Sequence, residues 1–134
     1  MRNRHAISLS LVLTLAVLAG CGGQPKTSPL ETGGIDAIDL LQTLNARTTR
    51  VLGTVTGAAA AEAALPDLEL ISSQYDDLLN DAKGLSPTAR AQLSDQAARI
   101  LPGLKDNAVR ISSMRGGEVL TPVLREIIDK VALL

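Results

Sequence analysis

Few side chains in this chain can do chemistry, and Cys21 comes first, as the only cysteine among 134 residues. With no second cysteine it cannot close an intramolecular disulfide, so any structure beyond it must hold together by packing. His5 is the only histidine and Tyr75 the only aromatic residue, with no Phe or Trp anywhere. After Cys21, Ser–His and Cys–His nucleophilic schemes are therefore excluded, as are the usual zinc and transition-metal ligands. Carboxylates remain. Asp76, Asp77 and Asp81 are close in sequence, but they lack the Asp-x-Asp-x-Asp-Gly spacing of a calcium loop, and a solvated acidic helix face accounts for them. Glu62 and Asp67 are acid–base candidates with no third group to complete a constellation. No catalytic residue, metal site or cofactor site is assigned, and an enzyme is not expected.

What Cys21 does depends on the residues before it. Met1-Arg2-Asn3-Arg4-His5 is a basic start, and residues 6–20 form an apolar run broken only by Ser8, Ser10 and Thr14. Ala19 and Gly20 are small. Basic, apolar and then small is the layout of a secretory signal peptide. A membrane-crossing helix needs about 20 apolar residues. This run is shorter and gives way at once to Gly22-Gly23-Gln24-Pro25, so a permanent span is rejected.

Leu18-Ala19-Gly20-Cys21 resembles the lipobox of bacterial lipoproteins in all four positions, a likeness that covers only the first 21 residues. The resemblance implies that the Cys21 sulfur receives a diacylglycerol, that residues 1–20 are cleaved as a signal peptide, and that the new amine is acylated. The plainer alternative is an ordinary secretory signal with a cysteine that happens to follow. One acyl chain binds a membrane marginally, whereas two or more, at about 0.8 kcal/mol per buried CH₂, hold it. The expected partner is a membrane, reached through the lipid on Cys21, with the protein facing the periplasm or cell exterior. In double-membrane bacteria an aspartate after the cysteine retains such proteins at the inner membrane. Gly22 stands there instead, and by the same resemblance the outer membrane is favoured.

About 114 residues remain after residue 20, enough for one domain. Residues 21–34 read as the lipidated cysteine and a flexible tether, with Gly22, Gly23, Gly33, Gly34, Pro25 and Pro29 and a single large apolar side chain, Leu30. Residues 35–134 read as the helical domain. Its charge is segregated: residues 31–81 hold nine acids against two bases, and residues 82–134 hold eight bases against five acids. That balance does not suit an electrostatic nucleic-acid binder. It fits an acidic half packed beside a basic half in one bundle, or head-to-tail association of neighbouring copies.

The elements follow from apolar spacing. Ile35, Ile38, Leu41, Leu44, Thr48, Val51, Val55 and Ala59 recur every three or four residues and predict a first helix over 35–65. Gly53 and Gly57 within it suggest close packing or a bend. Pro66 reads as the start of a second helix, whose Leu68, Ile71, Tyr75, Leu78, Ala82 and Leu85 form the cleanest heptad. Gly84 stops it, and Ser86-Pro87 restarts the chain as N-cap and first helical residue. Ala89, Leu93, Ala97, Ile100, Leu104, Ala108 and Ile111 mark the third helix, with a kink expected at Pro102. After Gly116-Gly117, a fourth helix starting at Glu118 or Thr121 runs to Val131, with Leu120, Leu124, Ile127 and Val131 inward.

Four amphipathic helices with short connections predict an all-α antiparallel bundle. The stretch Ala61-Glu62-Ala63-Ala64-Leu65-Pro66-Asp67-Leu68, with Ile100-Leu101-Pro102-Gly103-Leu104 and Leu120-Thr121-Pro122-Val123-Leu124, resembles small bacterial helical domains of no assigned activity. It implies a bundle and no chemistry. The expected function is that of a membrane-anchored envelope lipoprotein, non-enzymatic, acting structurally or through an envelope protein partner or self-association. The alternative is a carrier holding an apolar ligand in the bundle core.

Overall fold

The computed structural model describes residues 29–134, with side-chain surroundings from Gly33 onward. The signal segment, Cys21 and the first part of the expected tether lie outside the described residues. The elements are α1 (Pro29–Thr54), α2 (Ala58–Ala82), α3 (Pro87–Ser112), a 3₁₀ turn (Gly117–Leu120) and α4 (Thr121–Ala132). The described chain is an all-α bundle of four helices.

Two boundaries differ from the sequence reading. The first helix begins at Pro29, so residues 29–34, expected as tether, are helical. Pro29 suits a first helical position, where its missing N–H would have had no partner. The break between the first two helices lies at residues 55–57 and not at Pro66, which sits inside α2. Gly57, the residue before α2, is fully extended, with φ 172° and ψ −174°. Pro66 is exposed, so its ring meets solvent, and the bond it deletes is the one its N–H would have made to the Glu62 carbonyl.

The Ser86-Pro87 and Gly116-Gly117 signals hold. Ser86 caps α3, its hydroxyl accepting from the Ala89 N–H at 3.2 Å, with Pro87 next. α3 runs unbroken through Pro102. Gly116 adopts φ 83°, the left-handed conformation that reverses the chain into the 3₁₀ turn. Gly117 is packed so tightly that a Cβ there would collide with the Ile111 carbonyl oxygen.

The core draws on every element: Leu41, Leu44 and Leu52 from α1, Leu68, Ile71, Tyr75 and Leu78 from α2, Leu93, Leu104 and Ile111 from α3, and Leu120, Leu124, Ile127 and Val131 from the C-terminal part. Ile35 and Ala59, expected inward, are exposed, whereas Ala37 and Leu52 take the inward positions. Leu85, Ile100 and Ala108 are half-buried at its edge.

Each of α1 and α4 packs on both α2 and α3, so the order around the bundle is α1, α2, α4, α3. Consecutive helices run antiparallel. Two side-by-side pairs are nevertheless parallel. Gly34 and Leu52 of α1 meet Ala89 and Arg110 of α3 in the same sequence direction. Gly116 lies over Ala58 and Lys130 over Ser72, which sets α4 parallel to α2. The four residues 83–86 carry the chain from α2 across the diagonal to α3. The acidic pair α1–α2 therefore forms one flank of the bundle and the basic pair α3–α4 the opposite flank.

Candidate functional site

Cys21, the one site residue expected from sequence, lies outside the described residues, but the entry of its segment into the bundle is defined. α1 begins at the end where α2 gives way to α3: Gly33 faces Leu85 and Gly34 lies against Ala89. No helix among the described residues is long and apolar enough to cross a membrane.

The carboxylates are not brought together. Among the described residues no three acidic, histidine or cysteine side chains converge to hold a metal ion. Glu62 and Asp67 are exposed, and five positions along a helix sets them about 140° apart. Asp77 and Asp81 are likewise exposed on α2. Asp76 has a different role, as part of a cluster around Lys130.

Lys130 reaches from α4 to α2 with its side chain only 12% exposed. Its Nζ donates to Asp76 Oδ2 at 2.7 Å, Glu126 Oε1 at 2.6 Å, and the carbonyl and hydroxyl oxygens of Ser72 at 3.0 and 2.9 Å. Burial is the largest single influence on the ammonium and opposes its charge, but the hydrogen bonds and charges of Asp76 and Glu126 together outweigh it, and its pKa is raised. Glu126 is held below the ordinary carboxylate range, first by the hydrogen bond from Lys130. The geometry is that of a clasp between helices, with three protons facing four acceptors.

A second polar pair is buried between α1 and α2. Thr48 is fully buried and donates from Oγ1 to the Leu44 carbonyl at 2.8 Å. Tyr75, also fully buried, finds no hydrogen-bond partner for its hydroxyl among the described residues. Loss of water pushes its pKa up to about 12, against a smaller opposing pull from the Thr48 hydroxyl. Arginines serve helix ends instead. Arg110 of α3 donates to the Leu52 carbonyl in the last turn of α1 at 2.8 Å, and Arg90 donates to the Lys83 carbonyl at 3.1 Å just past α2. α1 and α2 have no basic residue of their own in the last turn, and these arginines place positive charge where the helix dipole is negative.

The grooves lie on the surface and open to solvent. One, about 760 Å³, lies where α4 ends against α2, between Leu79, Ala82, Arg90 and Leu133. A smaller one of about 210 Å³ runs between α3 and α4, floored by Ala108, Leu124 and Ile128 and edged by Val109 and Arg125.

Sequence reading did not single out Lys130, Ser72 or Arg110. The spacing of Glu126 and Lys130 signals one contact. Nothing in the sequence couples Lys130 to residues more than fifty positions earlier. Comparison of the chain with protein-family models, with curated proteins and with solved structures finds no match.

Proposed function

We propose that this chain is a lipid-anchored protein of the bacterial cell envelope whose helical bundle acts through protein contacts and carries no catalytic centre. One observation carries the reading: Leu18-Ala19-Gly20-Cys21 directly after a basic and then apolar segment. Diacylglycerol on the sulfur and an acyl group on the amine would hold the protein to a bilayer without crossing it. Gly22 favours the outer membrane where the cell has two. Cys21 precedes Pro29 by eight positions, which at full extension reaches about 28 Å. The bundle would then stand near the surface, with the end bearing the 83–86 connection toward the lipid. Half-buried Lys130 ties α4 to α2 and Tyr75 is sealed in the core, so both serve packing of the bundle.

Metabolic labelling with a palmitate analogue tests the anchor. Wild type is expected to label and to sediment with membranes, and Cys21→Ser to lose the label and either leave the membrane or keep its leader uncleaved. Equal labelling of both chains would overturn the reading. Capture of envelope proteins by the anchored wild type tests the contact role.

A further inference from the structure

We propose that the acidic α1–α2 flank of one copy docks on the basic α3–α4 flank of a second copy, head to tail. The inference rests on the protein-contact part of the proposed function and names the partner; it is independent of the lipid anchor.

Charge complementarity leads to it. Residues 31–81 carry a net charge of −7 and residues 82–134 a net of +3, and the order of helices around the bundle sets these halves on opposite flanks. The opposite charges are hardly used within one molecule. Among the described residues the ion pairs are those of Lys130, and only its bond to Asp76 joins the two flanks. The excess on each side faces solvent.

The apolar surface is distributed to match. Leu70 projects from the acidic flank, 53% exposed. Asp67 lies one helical turn before it and Asp77 two turns after, both exposed. On the other flank Val109, 66% exposed, edges the α3–α4 groove. Arg125 lines that groove, and Lys105 sits one turn before Val109 on α3. One flank thus offers an apolar knob between two acids, and the other an apolar groove beside two bases. The two surfaces are different and lie on opposite sides, so the contact is heterologous and extends into chains of copies unless rotation closes a ring. An interface built on one leucine is small and weak. Confinement to a bilayer surface would strengthen it by raising effective concentration.

The test uses the full-length chain carrying Cys21→Ser in a non-ionic detergent, followed by sedimentation velocity. Wild-type flanks are expected to give concentration-dependent association that weakens as salt rises. Asp67→Lys with Asp77→Lys, and separately Lys105→Glu with Arg125→Glu, should each weaken association by about tenfold or more, since like charges then face each other. All four residues are exposed, and circular dichroism should show the fold unchanged. Mixing the two reversed proteins should restore association. A Cys21→Ser chain with unaltered flanks that stays monomeric at the highest concentration would overturn the proposal. So would association that survives either reversal, as it would if the apolar leader were responsible. Neither result touches palmitate labelling or capture of another envelope protein, so failure here is distinct from failure of the anchored-module reading.

Discussion

Tyr75 brings the only aromatic ring of the chain into an aliphatic core and leaves its hydroxyl without a partner among the described residues. An unsatisfied buried hydroxyl costs about 1–3 kcal/mol. Tyr75→Phe keeps the ring, so equal stability or a gain of about 1 kcal/mol is expected in chemical denaturation. Because the folded pKa is raised, the neutral phenol's contribution is complete below about pH 10 and is lost as pH climbs toward about 12. Tyrosinate absorbance reports this residue alone, with a midpoint expected near 12 in the folded protein and near 10 in denaturant. Lys130 behaves differently. Its raised pKa keeps its contribution intact below about 10.5 and removes it as pH rises through the folded value. The lowered pKa of Glu126 means its share is present above about 4.5 and fades as pH falls. Denaturant titrations of wild type and Lys130→Met should therefore differ most near neutrality, by about 1 kcal/mol or less because Asp76 and Glu126 are half exposed and screened by water, and converge in strong acid and strong alkali.

At the scale of helices, one substitution should act with opposite signs at two glycines. Gly34 of α1 is buried against α3, and a Cβ there would lie 2.6 Å from the Ala89 Cβ. Gly34→Ala must push two parallel helices apart, with an expected loss of about 1–3 kcal/mol. Gly103, inside α3, has nothing within 4 Å of the same position. Gly103→Ala should gain up to about 1 kcal/mol from helix propensity. Paired denaturant titrations read both. The third and fourth helices were legible in the sequence because Ser86-Pro87 and Gly116-Gly117 mark their starts with local backbone chemistry. The first boundary was not. Ala61 and Ala64 are buried on α2, but alanine gives a weak apolar signal, so Pro66 looked like a beginning. Close approach at Gly34 is also invisible locally, since a glycine beside Gly33 and Pro29 reads as tether until Ala89 is seen opposite.

For the whole molecule, the heptads announced a bundle, but the order of helices around it depends on which faces meet, and that information lies between residues fifty or more positions apart. The same holds for Lys130 with Ser72 and for Arg110 with Leu52. The short path of residues 83–86 across the diagonal has a kinetic consequence. α1 with α2, and α3 with α4, are neighbours in sequence as well as in space, so each hairpin can close through short loops. The core between them forms only when both halves meet, tied by four residues that leave little freedom in how they approach. Each hairpin should accordingly form early from local contacts, with the docking of the two halves setting the rate seen in stopped-flow refolding. Inserting several Gly-Ser residues within 83–86 should slow the meeting of the two halves while leaving the unfolding rate nearly unchanged.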